Sequence, residues 1–446
     1  MSDIAPNDLS SFWLPFTPNS SFQAKPRMIT RAKGMYYYSD DGREIIDGSA
    51  GLWCCNAGHS HDAIVSAVQN QVAELDFAPS FQFGHPKSFE VASRIAALAP
   101  DDLNRVFFCN SGSESVDSAM KIALAYHRYK GEGTRTRFIG REKGYHGVGF
   151  GGISVGGMVN NRKFFGPLLA GTDHLPHTYN RDEQAFTKGE PEWGGHLADE
   201  LENIVALHDA STIAAVIVEP MAGSIGVLPP PKGYLEKLRT ICDKHGILLI
   251  FDEVICAFGR LGHSFAAERY GVTPDLITFA KGVTSGVVPL GGVIARDHVF
   301  DAIDGGPGAT QDHEIRLFHG YTYTGHPLAS AAALATLNVY RDEGLFERAA
   351  ELEAPFGDAC HGVRERASAV EDIRSLGLAV AFDVAPVPGK PGKRGYDLME
   401  HLFFEEGLMV RVSGDTVCLS PPLIVEESHI EQMTDKIAKA VTHIAG

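Results

Sequence analysis

Short apolar runs alternate with segments of helical periodicity through the middle of the chain. Four of these runs are long enough for buried strands, at residues 105–110, 214–220, 247–254 and 275–281. Two segments repeat apolar residues with a helical period, at residues 113–129 and 234–246. Continuous apolar runs separated by helices predict parallel strands that are covered on both faces. We therefore predict a large, doubly wound, mostly parallel α/β domain over residues 60–325.

Both ends of the chain carry a different pattern. Residues 34–48 indicate a β-hairpin with Asp41-Gly42 as its turn, and residues 326–344 are an Ala-rich helical segment suited to linking two domains. The segments that follow are 375–384, a helix at 396–407, two short strands around Met409–Val412 and Thr416–Leu419, and an amphipathic helix at 426–444. Residues 1–59 and 326–446 are therefore expected to form one smaller α+β domain.

Composition and charge narrow the kinds of partner. The chain has 446 residues with 44% hydrophobic and 21% charged content, which is ordinary for a globular protein. Its formal net charge of −17 argues against nucleic acid or an anionic membrane as the main partner, because both are polyanions. An anionic small substrate remains compatible with this charge if a few local cations hold it.

The cysteines and the N-terminus bear on the compartment. The seven cysteines are an odd number, Cys54 and Cys55 are adjacent, and no C-x-x-C pair occurs, which indicates reduced thiols and no disulfide framework. Residues 1–16 lack a basic segment followed by an apolar core, so no secretory signal is expected. No run of about 18 apolar residues predicts a membrane span. A cytoplasmic location is the expectation that follows.

Three motifs suggest other chemistries, but their contexts do not fit. Residues 147–152 match G-x-G-x-x-G without the preceding strand that a dinucleotide fingerprint requires. Residues 152–156 match the nucleophile elbow G-x-S-x-G with Ser154 as the candidate nucleophile, again without the flanking strand and helix. Residues 313–317 miss the zinc motif H-E-x-x-H because position 317 is leucine. No catalytic metal is predicted.

The segment NSGSES, residues 110–115, lies between a predicted strand and the start of a predicted helix. The backbone N–H groups of Gly112 and Ser113 would face whatever lies at this helix N-terminus, where the helix dipole favours an anion. The hydroxyls of Ser111 and Ser113 add hydrogen-bond donors. A phosphate site is one interpretation, and a simple N-cap by either serine is the other.

Two further predicted strands end in charged residues. The strand 247–254 contains Asp252 and Glu253, which point to opposite sides because they are consecutive. One of them can face a ligand while the other faces solvent or a basic partner; an acidic strand end can also be a solvated edge. A buried carboxylate needs a cation. The strand 275–281 ends in Lys281, which is either a surface lysine or a buried nucleophilic amine.

A phosphate cradle, a carboxylate and an amine thus map to the carboxyl ends of strands in one sheet, where ligands bind in open parallel sheets. Pyridoxal 5′-phosphate needs all three: a helix N-terminus for its phosphate, a carboxylate for its pyridine nitrogen and a lysine for its aldehyde. An aromatic side chain should also cover its ring, and Tyr145 in GYHG is available. The sequence therefore predicts this cofactor.

The motifs SGSES, GYHG, VEP, FDEV, AKG and HGYTYTGHP, in this order and at these spacings, resemble those of the class III pyridoxal-phosphate aminotransferases of fold type I. The resemblance covers nearly the whole chain and is specific for the motifs taken together, although each alone is weak. Residues 160–169 and 214–234 are most similar to the β-alanine (ω-amino acid):pyruvate aminotransferases. The resemblance implies a homodimer with shared active sites and leaves a tetramer open.

The resemblance also implies roles for individual residues. Lys281 is expected to bind the cofactor aldehyde as a Schiff base and, once a substrate amine displaces it, to move a proton between substrate and cofactor. Asp252 is expected to pair with the pyridinium nitrogen. The other expected cofactor contacts are Val254 and Tyr145 on the two ring faces, Ser111, Gly112 and Ser113 at the phosphate, Tyr321 and Thr322 at that phosphate from the neighbouring subunit, and Glu219 and His146 in the surrounding polar network.

Substrate choice is expected to depend on aromatic residues and one arginine. The resemblance places Trp53 near the reacting centre, with Phe16 and one of Phe81 or Phe83 lining the pocket, although these residues also suit a hydrophobic core. Arg411 matches the family's mobile arginine, which binds the carboxylate of pyruvate or an ω-amino acid and swings aside for an amine without one. The alternative for Arg411 is a surface strand arginine.

The activity implied is transamination in a ping-pong cycle. An ω-amino acid or primary amine gives up its amino group and leaves as an aldehyde or ketone, and pyruvate then takes the amino group to become alanine. The same residues serve taurine and 4-aminobutyrate aminotransferases and aminomutases, so another class III enzyme of fold type I is the alternative. Outside this fold, the alternative is a serine hydrolase at Ser154.

Overall fold

The structure, a computed structural model, describes residues 9–306 and 313–445. Residues 1–8, which carry half of the N-terminal stretch expected to hold no secretory signal, lie outside the described residues. Within the described residues the strands form three sheets.

The first sheet begins with the N-terminal part of the chain. Its strands there are β1 (Ile29–Lys33), β2 (Tyr36–Ser39) and β3 (Glu44–Asp47). β2 and β3 pair antiparallel as the predicted hairpin, and Gly42 in its turn has φ 85°. Glycine suits this position because a Cβ is unfavourable in the left-handed region.

The central sheet has seven strands in the described chain. They are β4 (Leu103–Cys109), β5 (Arg137–Arg141), β6 (Thr172–Leu175), β7 (Ile213–Val218), β8 (Leu248–Asp252), β9 (Leu276–Phe279) and β10 (Gly291–Arg296). Their spatial order is β4-β10-β9-β8-β7-β5-β6. β5 to β9 pair in parallel, whereas β10 runs antiparallel to both of its neighbours. The predicted mostly parallel sheet is confirmed, and the four predicted strands correspond to β4, β7, β8 and β9.

Both faces of the central sheet are covered, as the apolar runs predict. Alternate residues of β7 separate to the two faces: Val216 and Val218 pack in one hydrophobic cluster, Ala215 and Ile217 in another. The same alternation holds for β8, in which every residue is buried. Continuous hydrophobicity in β7 and β8 therefore reflects two buried faces.

The C-terminal strands complete the first sheet and form the third. They are β11 (Val370–Leu376), β12 (Ala379–Val384), β13 (Leu408–Met409), β14 (Arg411–Ser413) and β15 (Thr416–Leu419). The third sheet has the order β11-β12-β15-β14, while β13 pairs in parallel with β3 of the first sheet. The strand predicted around Met409–Val412 is thus divided between two sheets, and β13 joins the two ends of the chain.

The helices surround these sheets. In the described residues they are α1 (Asn19–Ala24), α2 (Ala50–Trp53), α3 (Asp62–Glu74), α4 (Pro86–Ala96), α5 (Gly112–Tyr129), α6 (Phe150–Val155), α7 (Val159–Arg162), α8 (Arg181–Gln184), α9 (Glu200–His208), α10 (Tyr234–His245), α11 (Ala266–Tyr270), α12 (Asp297–Asp304), α13 (Pro327–Asp342), α14 (Leu345–His361), α15 (Val363–Arg366), α16 (Lys393–His401) and α17 (Glu427–Ala445). The helix predicted from residue 396 begins at Lys393 and passes into a π-helical turn, Leu402–Glu406. None of these described helices has the length and apolar character needed to cross a membrane.

Both chain ends hold the 3-10 turn Lys281–Thr284 that follows β9. From the C-terminal side, the Tyr340 hydroxyl of α13 donates a 2.5 Å hydrogen bond to the Gly282 carbonyl. From the N-terminal side, the Ala57 amide donates to the Ser285 hydroxyl at 2.9 Å. The segments outside the central sheet therefore support the backbone at its carboxyl edge. The predicted division into residues 60–325 and a domain of both chain ends stays a prediction.

Gly140 in β5 allows a test of how closely α6 packs on the central sheet. A Cβ at this position would overlap the carbonyl group of Val155 at the end of α6. We expect Gly140→Ala to lower the free energy of unfolding by about 3 kcal/mol, because close-packed interiors accept extra volume poorly. Denaturant unfolding measures the effect. The matched control is Gly133→Ala, since a Cβ at Gly133 would meet no atom within 4 Å; equal stabilities of the two variants would contradict the packing argument.

Candidate active site

Several strands bring polar residues to the same edge of the central sheet. The carboxyl ends of parallel strands meet at one edge, so the residues after these strands become neighbours. β4 leads directly into α5, and the loop after β5 carries Tyr145 and His146. The residues at this edge are Ser111, Gly112 and Ser113 after β4, Tyr145 and His146 after β5, Glu219 after β7, Asp252 at the end of β8 and Lys281 after β9.

Asp252 is a carboxylate with only 5% of its surface exposed. His146 Nδ1 lies 2.8 Å from Oδ2, and the Thr278 hydroxyl and the Val254 amide donate to Oδ1 at 3.0 and 3.2 Å. Among the described residues, no lysine or arginine comes within ion-pair distance of this carboxylate. Because a carboxylate oxygen has two lone pairs, Oδ2 can accept a further hydrogen bond from a cationic ligand.

His146 is buried and holds Asp252 from one side. Next to a carboxylate, Nδ1 carries the proton and donates it, which leaves Nε2 available to another partner. In the described part of the chain, Nε2 is buried without a hydrogen-bond partner. A buried polar atom without a partner costs free energy, so this nitrogen marks a place where a ligand or water completes the structure.

Glu219 fixes the loop that carries Tyr145. Its carboxyl group accepts hydrogen bonds from the Tyr145 amide at 2.9 Å and the Gly223 amide at 3.3 Å. Burial raises the pKa of Glu219, and the nearby His146 acts against this shift. A carboxyl group that burial drives towards its neutral form suits a structural role between two loops.

Lys281 has an unusual backbone conformation for a residue with a side chain. Its φ is 51°, in the left-handed region, which costs about 1–3 kcal/mol and persists only when the surrounding structure imposes it. Its amine makes no hydrogen bond or ion pair with the described residues. Burial, with the charge of Arg411, lowers the pKa of Lys281 to about 8. The neutral, nucleophilic amine is therefore a minority form near physiological pH, but a far larger one than for an ordinary lysine.

The N-terminus of α5 combines the two interpretations of NSGSES. The Ser111 hydroxyl accepts a hydrogen bond from the Glu114 amide at 3.2 Å, and the Glu114 carboxylate accepts one from the Asn110 amide at 2.7 Å. This arrangement is related to a capping box, but the Glu114 carboxylate bonds the amide of Asn110, one residue before the N-cap Ser111. It leaves the amides of Gly112 and Ser113 without hydrogen bonds to the described residues. The cap therefore stabilises the helix while two N–H groups stay available to an anion.

Val254 and Ser113 join the N-terminus of α5 to the rest of the site. A Cβ on Gly112 would lie 2.9 Å from both methyl groups of Val254, so glycine permits the close approach of α5 to Val254. The Ser113 hydroxyl accepts a hydrogen bond from the Val148 amide at 3.0 Å, which ties α5 to the loop carrying Tyr145. Val254 thus packs against α5, and the loop of Tyr145 is held by both α5 and Glu219.

Arg411 approaches the site from the first residue of β14. Its Nη1 donates to the Ser224 carbonyl at 2.8 Å, and the structure describes no carboxylate partner for it. Burial lowers the pKa of Lys281 and the charge of Arg411 adds to this shift, whereas burial raises the pKa of Tyr145 and Arg411 opposes that shift. A half-buried guanidinium bound only to a carbonyl retains donors for a carboxylate ligand.

The aromatic residues expected at the substrate divide into two groups. Trp53 is 2% exposed, and its Nε1 has no hydrogen-bond partner in the described chain. Phe16, Phe81 and Phe83 are 80%, 59% and 73% exposed, so these rings line no closed pocket in a single chain. Their roles stay predictions. Large exposed aromatic side chains are typical of surfaces that contact another molecule.

Tyr321 and Thr322 lie beside α5 of their own chain. The Tyr321 hydroxyl is 3.3 Å from the Ser118 hydroxyl and donates to the Glu114 carbonyl at 3.4 Å. Thr322 is exposed. Their expected contact with the phosphate site of a neighbouring subunit stays a prediction.

Glu253 differs from its expectation. Its carboxyl group faces neither solvent nor a basic partner but accepts hydrogen bonds from the amides of Ala266 and Ala267 at the start of α11. The residue is fully buried, and burial raises its pKa to about 8. Sequence reasoning also missed Thr278, which donates to Asp252 because β8 and β9 pair these two residues. The only available signal was the parallel pairing of the two strands.

Ser154 has a structural role. Its hydroxyl donates to the Phe150 carbonyl at 2.6 Å and accepts from the Leu169 amide at 2.9 Å, and the residue is fully buried. It lies inside α6, so the strand, turn and helix of a nucleophile elbow are absent around this residue. This geometry does not support a serine hydrolase at Ser154.

The chain is similar to known aminotransferases over almost its whole length. The family described as aminotransferase class-III matches residues 18–441. An omega-aminotransferase of Caulobacter vibrioides is 57% identical over 444 residues, with 100% of both chains covered. The beta-alanine–pyruvate aminotransferase of Pseudomonas aeruginosa is 47% identical over 439 residues, or 98% of this chain and 97% of that one. The PLP-bound structure of an amine transaminase from an uncultivated Pseudomonas species has a TM-score of 0.88 and 36% identity, covering 97% of this chain and 99% of that one.

The lowered pKa of Lys281 can be measured in protein freed of any cofactor. Only the neutral amine reacts with an acylating reagent, so labelling of Lys281 should rise with pH through a midpoint near 8. Arg411→Ala should move this midpoint to higher pH, because the charge of Arg411 disfavours the ammonium form. Mass spectrometry of the labelled peptide gives the profile. Arg411→Lys, which keeps the positive charge, is the control; a midpoint unchanged by Arg411→Ala would contradict the assigned cause.

Proposed function

The chain belongs to the class III aminotransferases, and from this premise we propose that it transfers the amino group of an ω-amino acid or a primary amine to pyruvate. The cofactor is pyridoxal 5′-phosphate, which when bound acts as an electron sink and carries the amino group from donor to acceptor. The observation that carries the proposal is the meeting of Lys281, Asp252 and the N-terminus of α5 at one sheet edge, each with unused binding capacity.

The residues at this edge fit the cofactor group by group. The two free amides at the N-terminus of α5 match a phosphate. The Asp252 carboxylate, buried without a lysine or arginine within reach in the described chain, matches a protonated ring nitrogen. The Lys281 amine, without a hydrogen bond to the described residues, matches an aldehyde. Ser111 and Ser113 border the phosphate position, and Val254 and Tyr145 are proposed to cover the two ring faces.

Lys281 is proposed to have two tasks in turn. It would first hold the cofactor through Nζ, and once a substrate amine had replaced it, Nζ would take up a proton from the substrate carbon and later release it. A pKa of about 8 suits both directions, because the amine then gains and loses a proton at similar cost near neutral pH.

Asp252 is proposed to keep the ring nitrogen protonated. His146 and Thr278 orient its carboxylate, at 2.8 and 3.0 Å, so that Oδ2 stays directed at one position. Glu219 acts at a distance by fixing the loop of Tyr145. His146 is thus a positioning residue for the carboxylate.

Arg411 is proposed to bind the substrate carboxylate. In the described chain its guanidinium is bound to the Ser224 carbonyl and to no carboxylate, so it can exchange this contact for a bidentate pair. Trp53, Phe16 and Phe81 are proposed to contact the apolar part of the amine, with Phe83 as the alternative to Phe81. Such a pocket accepts both ω-amino acids and uncharged amines.

We further propose a cytoplasmic homodimer with shared active sites. The support is the exposure of Phe16, Phe81 and Thr322 in a single chain, which leaves these residues available to a second copy. In this dimer Tyr321 and Thr322 would complete the neighbouring phosphate site. The large domain, residues 60–325, would hold the cofactor, and the domain of both chain ends would carry Trp53 and Arg411.

An absorbance spectrum tests the proposed function. Purified protein should show a visible Schiff-base band that β-alanine or a primary amine converts to the pyridoxamine form and that pyruvate restores. A band that no amine changes would contradict transamination. A product formed without pyruvate would indicate an aminomutase. Lys281→Ala is the control: it should keep the fold, lose the lysine-dependent band and lose turnover by about 10³-fold or more.

Arg411→Ala tests how the substrate carboxylate is bound. Loss of hydrogen bonds to a charged group costs about 1.5–3 kcal/mol, so kcat/KM for β-alanine and pyruvate should fall by about 10- to 100-fold. An uncharged aryl amine should be nearly unaffected as donor in the half-reaction without pyruvate. Steady-state and single half-reaction kinetics measure both. Arg411→Lys should give an intermediate loss, and equal losses for both donors would contradict the proposed contact.

A further inference from the structure

Two adjacent thiols lie beside Lys281 and have no role in the proposed reaction. Cys54 and Cys55 follow α2, and their sulfur atoms are 3.8 Å apart. Both are partly exposed, whereas the other five cysteines of the chain are buried. The exposure of this pair, at a site that must admit small molecules, makes it accessible to a small reagent.

The backbone holds the two thiols together. The amides of Cys54 and Cys55 both donate to the Ala50 carbonyl, at 2.8 and 3.0 Å. The next residue, Asn56, is fixed by a 2.8 Å hydrogen bond from its side-chain amide to the Phe258 carbonyl. The pair therefore sits in a turn anchored on both sides.

Two glycines provide the space that the sulfur atoms fill. A Cβ on Gly286, in the loop after Lys281, would lie 3.0 Å from Cys55 Sγ and 3.1 Å from Cys54 Sγ. A Cβ on Gly51 would lie 3.2 and 3.4 Å from the same two atoms. The thiols are thus packed between Gly51 of α2 and Gly286 in the loop after Lys281. A movement of the two sulfur atoms therefore changes the contacts of that loop.

The two thiols differ in acidity. The hydrogen bond from the Cys55 thiol is the main cause that lowers the pKa of Cys54, and the charge of Lys281 adds to it. Together they outweigh burial, which acts in the opposite direction. The same hydrogen bond and burial raise the pKa of Cys55. The Tyr37 hydroxyl and Asp47 complete the titratable surroundings of Cys55. Cys54 is therefore the thiol that reacts first, as the nucleophilic thiolate, and Cys55 is the thiol that reacts second.

We propose that Cys54 and Cys55 are a redox-active dithiol that a hydroperoxide converts into an intrachain disulfide beside Lys281. The Cys54 thiolate attacks one peroxide oxygen, the O–O bond breaks, and the departing oxygen leaves as water after taking a proton, or as an alcohol from an organic peroxide. Cys54 is then a sulfenic acid. Cys55 attacks this sulfur as it loses its proton, the S–O bond breaks, and water leaves. The dithiol has given two electrons to the peroxide.

The disulfide is expected to be readily reversible. The sulfur atoms must approach from 3.8 Å to about 2.05 Å. Adjacent α-carbons are only about 3.8 Å apart, below the usual separation of about 4.4–6.8 Å in disulfides. A bond formed under this constraint is strained, and strained disulfides are the easily reduced ones. An external dithiol should therefore restore both thiols.

Oxidation is expected to lower the activity, which rests on the proposed function. The Cys54 thiolate raises the pKa of Lys281, so its loss as a disulfide would move that pKa further below the value of about 8 that suits proton transfer in both directions. The turn between Trp53 and Asn56 must also shift as the sulfur atoms close. Activity should fall on oxidation and return with dithiothreitol.

The test treats the holoenzyme with hydrogen peroxide and follows the peptide that contains both cysteines by mass spectrometry. The expected result is the loss of two hydrogen atoms from this peptide, reversed by dithiothreitol. Peptides with Cys242 and Cys360 are internal controls and should stay reduced, because burial raises the pKa of both thiols. Oxidation of those buried cysteines before Cys54 and Cys55 would overturn the proposal.

Single variants separate the two thiols. Cys54→Ser should slow oxidation of the peptide by about tenfold or more, because the nucleophilic thiolate is lost. Cys55→Ser should stop at a sulfenic acid that a 1,3-dione reagent traps, with no loss of two hydrogens. Wild-type protein that gains oxygen atoms without the two-hydrogen loss would overturn the proposal without any variant. The mass readout is independent of transamination, so failure of the dithiol and failure of the proposed function are distinguishable.

Discussion

A carboxylate buried at the end of a hydrophobic strand is the constraint on which the candidate site depends. Moving an ion out of water costs several kcal/mol, which only a close partner can offset. Asp252 has the ring of His146, the Thr278 hydroxyl and one amide around it, and the described chain supplies no lysine or arginine. This arrangement orients the carboxylate but leaves its charge incompletely compensated. A cationic ring placed against Oδ2 would complete it, so the fold and the proposed cofactor stabilise each other.

At the same edge of the sheet, close to Asp252, two residues have strained backbone conformations. Lys281 and Ser285 both have positive φ, at 51° and 48°, although neither is glycine. The hydrogen bonds from Tyr340 and Ala57 hold the turn between them. Because these two residues come from segments on either side of the central sheet in the chain, a helix and a loop outside that sheet do more than cover it. They impose the conformation that directs the lysine.

Local charges also explain how a strongly acidic chain can bind anionic substrates. The formal net charge is −17, yet Lys281 and Arg411 lie within electrostatic reach of each other at the site. Arg411 makes the charged form of Lys281 less favourable, and the Cys54 thiolate acts in the opposite direction on Lys281. The protonation of one amine therefore depends on groups that are distant from it in the sequence, on both sides. A substrate carboxylate or an oxidised thiol pair would change this balance directly.

The sequence by itself determined four of the seven described strands of the central sheet and the groups that end them. Apolar runs identified β4, β7, β8 and β9, because burial on both faces leaves a continuous local pattern, and the charged residues that follow them stood out against it. The fold and family follow from the order and spacing of several motifs. Only the tertiary structure decided that β10 runs antiparallel, that Glu253 caps α11, and that Cys54 and Cys55 pack beside Lys281. These facts depend on strand pairing and on contacts between distant segments, which local periodicity does not encode.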